Sequence, residues 1–184
     1  SGKSISGYFD ADFSILEDLV DKDNTILITD ENIFAKQSGK FSGWKTIVIK
    51  AGEQFKNQKA VDEIINRLIE MNADRQSFIV GVGGGVVTDI AGYAASIYMR
   101  GIKFAFVPTS ILGMVDASNG GKNGVDVGVY KNLVGVINHP EFLLYDYTFL
   151  DTLPDEEWIN GYAEIIKHAC IKDEDLFRFL EEKT

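Results

Sequence analysis

Five short apolar runs are spread along the chain: TILIT (25–29), KTIVI (45–49), SFIVGV (77–82), FAFV (104–107) and FLLY (142–145). None is long enough for a helix, and each is apolar at nearly every position rather than at every second one. That pattern belongs to strands buried on both faces, the condition met inside a parallel sheet. Between the second and third runs, Val61, Ile64, Ile65, Leu68 and Ile69 recur three and four apart, which is one face of a crossover helix. Strands separated by helices imply βαβ units, so the sequence predicts an α/β fold with a Rossmann-like, doubly wound, mostly parallel sheet. From Pro154 onward the strand signals stop and two helices are expected, over about 154–171 and 173–182. The expected division is an α/β domain over 1–150 and, over 151–184, the beginning of an α-helical domain that is cut short. With 184 residues, 45% of them hydrophobic, one substantial core and a small addition can be buried. The opening SGKSISG reads as a frayed end.

Eighteen basic residues against twenty-eight acidic ones give a formal charge of -10. Such a chain repels a polyphosphate backbone, so nucleic acid is excluded as a partner. Cys170 is the single cysteine, no run reaches the length of a membrane span, and a reducing cytoplasm is the expected compartment. The two histidines, His139 and His168, are too few to build a histidine-rich zinc site unless they converge.

Three segments carry chemistry. GVGGGVVTDIAG (81–92) follows a strand and opens a helix, where backbone amides and the helix dipole can hold a phosphate. It departs from the usual dinucleotide fingerprint, because Val86 stands where a third glycine would fall, and a tight strand-to-helix turn packed by small residues is the competing reading. Asp30, ending the first of the five runs, stands where such folds place an acid against a ribose hydroxyl, and it would equally serve as a helix N-cap. VDASNGGKNGVDVGVYKN (115–132) shows no helical or strand period; its Asp116, Lys122, Lys131 and Asn132 beside paired glycines suit an anionic small molecule, against the alternative of a solvated loop. The apolar spacing upstream is expected to seat Asp116 against a packed segment. On the last long helix Trp158, Ile159, Tyr162, Ile165, Ile166, Ala169 and Cys170 share one side, while Glu157, Asn160, Glu164, Lys167 and His168 share the other. That polar side is either an ordinary solvated face or a metal and substrate face, with Glu164 and His168 as a spacing-suggested pair.

GGGVVTDIAG, YMRG, VPTS, VDASNGGKNG, YKN, TLP and GYAEIIKHA, in this order, resemble the 3-dehydroquinate synthase family over about Thr25 to Ile171. The resemblance implies the NAD-binding amino-terminal part of a shikimate-pathway lyase. Such an enzyme uses NAD and a divalent metal, zinc or cobalt, and turns a phosphorylated seven-carbon sugar acid, 3-deoxy-D-arabino-heptulosonate 7-phosphate, into 3-dehydroquinate and phosphate. It implies that Gly84, Gly85, Val86 and Asp89 hold the pyrophosphate region, with Thr109, Ser110 and Leu112 beside it. Asp30, Asn32, Glu53 and Lys56 would serve the adenosine end, and Lys131, Phe149, Thr152, Leu153 and Glu157 the region near the nicotinamide. Asp116, Lys122, Asn132 and Lys167 would contact substrate, Lys122 and Asn132 toward its phosphate, and Arg100 would reach a neighbouring subunit's site in a homodimer. Glu164 would be the carboxylate metal ligand, its histidine partners lying outside this chain and His168 not ligating. Tyr130, Asn123 and Asp126 depart from the family's usual residues. Related readings are another sugar-phosphate cyclase, a metal-dependent polyol dehydrogenase, or an NAD-binding module inactive by itself.

Overall fold

The computed structural model describes residues 5–183. Its elements, in chain order, begin with strand β1 (Ser6–Phe9), a short helix α1 (Leu16–Leu19), β2 (Thr25–Asp30), α2 (Glu31–Lys36) and β3 (Lys45–Ile49). They continue with α3 (Gln58–Glu70), β4 (Phe78–Gly83), α4 (Gly85–Ile97), β5 (Lys103–Pro108), a π-helical turn (Gly113–Ala117), β6 (Lys122–Val127) and β7 (Tyr130–Ile137). β8 (Phe142–Tyr145), α5 (Asp155–Lys172) and α6 (Glu174–Lys183) complete the chain.

Six strands form one sheet in the order β1-β8-β5-β4-β2-β3, every neighbouring pair parallel. The five apolar runs are five of these strands. Residues in β2 alternate between the two faces: Ile26 and Ile28 join Ile47, Ile79, Ile64 and Leu68 under α3 and α4, while Leu27 joins Val80, Val82, Val107 and Leu144 on the other side. The first face is covered by two full helices. The second is covered by short turns and by the aromatic side chains of Phe13, Phe41 and Phe149, so the winding is thinner there than the sequence pattern implies.

Two expectations are corrected. Ser6 and Gly7, inside the segment read as frayed, pair with Phe142 and Leu143 as the edge strand β1, while Ser1 to Ser4 lie outside the described residues. The segment 115–132, expected to lack strand structure, enters the antiparallel β6–β7 hairpin. Glycines hide the alternation: Gly124 faces Gly135 across the hairpin, and a methyl group on Gly124 would stand 2.5 Å from the Val134 carbonyl oxygen.

The chain runs from β2 outward to β3 and then crosses to β4 on the opposite side of β2. This places a topological switch between the carboxyl ends of β2 and β4, where open α/β sheets form their ligand crevice.

Candidate active-site cleft

A cleft of 1190 Å³ lies over that switch. Its floor is the carboxyl edge of the sheet. Asp30 ends β2, Gly84 and Gly85 follow β4, and Thr109 and Ser110 follow β5. One wall is the β6–β7 hairpin, presenting Lys122, Asn132 and Gly135, and the other is α5 with Glu157, Asn160 and Glu164.

α4 begins at Gly84 with no side-chain cap, so its first amides face the cleft without a competing protein acceptor from that residue. Gly84 and Gly85 keep the turn close to its surroundings: added methyl groups would stand 3.2 Å from Ser110 Oγ and 3.1 Å from Ala117 Cβ. The geometry realises the tight packing of this loop and leaves an uncapped helix start lining the cleft. Asp30 lies at the same edge of the sheet, as the last residue of β2. It caps α2, accepting from the amides of Asn32 at 2.9 Å and Ile33 at 3.0 Å, and it lines the cleft; burial raises its pKa above the ordinary value.

Lys56 is 6% exposed, and its ammonium stands 2.5 Å from Asp89 Oδ2 and 2.6 Å from Asn132 Oδ1. Burial raises the Asp89 pKa, opposed by the Lys56 hydrogen bond and charge. Asp126, at a position unusual for the resembled family, accepts the Asn132 amide at 2.7 Å and donates its own amide to the Lys56 carbonyl at 2.8 Å. Asn132 is thereby held at φ +54°.

Asn32, Glu53, Val86, Leu112, Asp116, Phe149, Thr152 and Leu153 line the cleft as well. Three expected site residues are not among its lining. Lys131 is turned to Glu53 at 3.2 Å, and Lys167 is bonded to Glu164 on the same helix. Arg100 sits past the carboxyl end of the thirteen-residue α4, whose length puts it about 20 Å from the glycine turn. Met99 and Arg100 there have φ of +48° and +69°.

Asp116 is not seated against apolar groups as the sequence suggests: its side chain is 54% exposed because the π-helical turn projects it toward α5. There its carboxylate, the Glu164 carboxylate and His168 Nε2 come within 4.8 Å of one another. His168 stands 3.6 Å from Glu164 and 3.9 Å from Asp116, beside the carboxylates rather than packed in the core. This donor set of two hard carboxylates and an imidazole suits a divalent cation. On α5 the apolar side is left mostly exposed. Gly161 and Ala169 are buried, while Ile159, Tyr162 and Ile166 remain exposed.

Sequence reasoning missed Lys36, Asn119, Leu133 and Gly135 in the lining. Recognition of the hairpin would have supplied the last two; no spacing signals Lys36 or Asn119.

A family profile described as 3-dehydroquinate synthase N-terminal matches residues 46–160. The 3-dehydroquinate synthase of Saccharolobus solfataricus is 48% identical over 134 residues, 73% of this chain and 38% of that protein. That of Alkaliphilus oremlandii is 38% identical over 174 residues, 91% of this chain and 48% of that protein. The chain thus spans less than half the length of these curated relatives. Among solved structures, 2-epi-5-epi-valiolone synthase from Streptomyces hygroscopicus, with NAD+ and Zn2+ bound, superposes with a TM-score of 0.90 at 30% identity, covering 99% of this chain and 54% of that one. A 2-deoxy-scyllo-inosose synthase complexed with carbaglucose-6-phosphate, NAD+ and Co2+ gives 0.77 at 28% identity, covering 88% of this chain and 47% of that one.

Proposed function

The chain belongs to the 3-dehydroquinate synthase family, and from that premise we propose that it is the amino-terminal part of a 3-dehydroquinate synthase. The whole protein would convert 3-deoxy-D-arabino-heptulosonate 7-phosphate into 3-dehydroquinate with loss of phosphate. Residues 1–150 form the NAD-binding unit of this reading, and 151–184 open a helical domain that completes the site. The observation that carries it is the meeting, over one sheet switch point, of a glycine-turned helix start, the Lys122 and Asn132 pair and the Glu164 carboxylate.

Each group has a physical task. The first amides of α4 and its dipole hold the dinucleotide pyrophosphate, with Asp30 at the ribose end and Phe149, Thr152 and Leu153 beside the nicotinamide. Lys122 and the Asn132 side chain present donors to the substrate phosphate. Glu164 holds a divalent cation together with groups outside this chain, and Asp116 stands close enough to orient a substrate hydroxyl beside it. A zinc or cobalt ion at that place supplies Lewis acidity for charge developing on substrate oxygens, while NAD supplies a reversible oxidation that acidifies the proton to be lost.

Lys131 and Lys167 act indirectly in this reading, through Glu53 and Glu164. Arg100, remote from its own cleft, serves a second subunit in a homodimer. A polyol dehydrogenase of the same fold has no evident use for the Lys122 and Asn132 donors on one hairpin wall. By itself the 184-residue chain turns nothing over, since the helical domain is needed to close the cleft. Among the described residues no helix is long and apolar enough to cross a membrane, and the reading places the enzyme in the cytoplasm.

The test is phosphate release from the heptulosonate phosphate by the full-length protein with NAD and zinc, repeated with Lys122→Ala. Release that requires both additions and collapses in the variant supports the synthase. NAD binding without release from this substrate would redirect the assignment to another cyclase.

A further inference from the structure

Among the described residues Lys56 is the one buried lysine or arginine, and its two partners belong to different elements lining the cleft. Asp89 lies on the second turn of α4, and Asn132 lies on β7 of the hairpin. An ammonium group only donates, so the Asn132 atom 2.6 Å from it is the amide oxygen. With Oδ1 committed, the side-chain NH2 of Asn132 is the group left to the cleft that this residue lines. The amide orientation is thus fixed by chemistry rather than by the rotamer alone.

The backbone of Asn132 is fixed by the same assembly. Its amide donates to Asp126 Oδ1 at 2.7 Å, and Asp126 is itself attached to the segment ahead of α3 by the 2.8 Å bond from its amide to the Lys56 carbonyl, part of an isolated bridge between Asn57 and Asp126. Lys56 and Asp126 therefore grip both ends of one residue. The Lys56 charge is paired with the Asp89 carboxylate at 2.5 Å.

We infer that Lys56 is a positioning residue: by holding Oδ1 of Asn132 it makes the hairpin wall a donor surface, selective for an anion, and it latches that wall to the glycine-turned helix. The selection deepens the reading of the cleft as the seat of a phosphorylated substrate and rests on it; the orientation of Asn132 does not. Loss of the ammonium lets the amide turn over and present its oxygen, which repels an anion. Lys56 differs in this from Lys122, which lines the same cleft and is bonded to none of these groups.

Two readouts test it. In the 15N-labelled protein, Lys56→Met is expected to move the Asn132 side-chain NH2 resonance, identified by its loss in Asn132→Asp; an unmoved resonance overturns the inference. In the full-length protein with NAD bound, titration with inorganic phosphate is expected to show about a tenfold loss of affinity in Lys56→Met, the size of one charge-assisted hydrogen bond. The loss should vanish when Lys56→Met is made on Asn132→Ala, because Lys56 acts through that side chain; additive losses instead make Lys56 a direct ligand and overturn the inference. Should Lys56→Met fail to fold, Asn132→Asp decides. It keeps a partner for the ammonium while replacing the donors by an acceptor, so unchanged melting with weakened phosphate binding supports the inference, and unchanged phosphate binding overturns it. A full-length protein that binds no phosphate at all refutes the reading of the cleft, while the resonance still decides the placement of Asn132.

Discussion

Gly161 of α5 rests directly on Ile111: a methyl group built on the glycine would stand 2.3 Å from Ile111 Cβ. Ile111 follows β5, so this contact seats the helix that carries Glu164 over the edge of the sheet. Gly161→Ala is expected to lift α5 and to cost about 2 kcal/mol, the range of an overpacked contact, or roughly 6 °C in melting temperature for a protein of this size. Phosphate release by the full-length enzyme should fall about 100-fold, since displacement of a catalytic group by an ångström has that order of effect. Unchanged melting and rate would show that α5 is seated by something else.

Asn123 and Gly92 make a second such pair. A methyl group at Gly92 would lie 2.0 Å from Asn123 Oδ1, and that oxygen is buried without a hydrogen-bond partner while the amide nitrogen donates to the carbonyls of Gly121 and Asn138. Gly92→Ala should therefore destabilise by about 2 kcal/mol. Shortening the partner in the double variant Gly92→Ala with Asn123→Ala should recover part of it, a coupling on the order of 1 kcal/mol for touching residues. Chemical denaturation of the four proteins measures it, and strictly additive costs would refute the contact.

Acid sensitivity is expected at Asp146. Its carboxylate is 2% exposed, accepts from the Phe13 amide at 3.0 Å and from Lys40 at 2.6 Å, and caps the turn over Tyr147–Thr152 through the Thr148 amide. Burial alone would raise its pKa, but the Lys40 and Thr148 hydrogen bonds outweigh burial and hold it below 3.8. The folded state therefore binds this proton less readily than the unfolded chain. The stability it gives is complete above the ordinary carboxylate range and is lost as pH falls through the folded value. Asp146→Ala should cost about 3 kcal/mol at neutral pH by stranding Lys40 near Phe149, and should flatten the acid side of the stability curve. A curve parallel to that of the unchanged protein would remove Asp146 from the acid response.

How far the sequence speaks differs between the two halves of the site. Five of the six parallel strands are legible because their runs are apolar at nearly every position, and Asp30, Gly84 and Gly85 follow from the rule that ligands gather at strand ends. The hairpin is not legible, since Gly124 and Gly135 interrupt its alternation and Leu133 and Ile137 stay exposed. The surroundings of Lys56 and Lys131 are hidden for the same reason. Without the hairpin, nothing indicates that Lys56 would be buried between Asp89 and Asn132, or that Lys131 would turn outward to Glu53. His168 shows a different gap. Spacing along α5 puts it beside Glu164, but its approach to Asp116 depends on the π-helical turn, which no periodicity announces.

Removal of the divalent cation separates the two parts of the cleft. Glu164 belongs to α5 and the dinucleotide seat to the start of α4, so chelation of the full-length enzyme should abolish phosphate release and leave NAD affinity within about a factor of two. Glu164→Gln keeps the shape of the side chain while removing its charge, and it frees Lys167 from its partner. Metal content after dialysis should drop with it, and phosphate release should fall by at least about 100-fold, as expected when several kcal/mol of Lewis-acid stabilisation is withdrawn. Retention of full metal content and rate in Glu164→Gln would move the cation elsewhere, and a parallel loss of NAD affinity would show that the two seats are not independent.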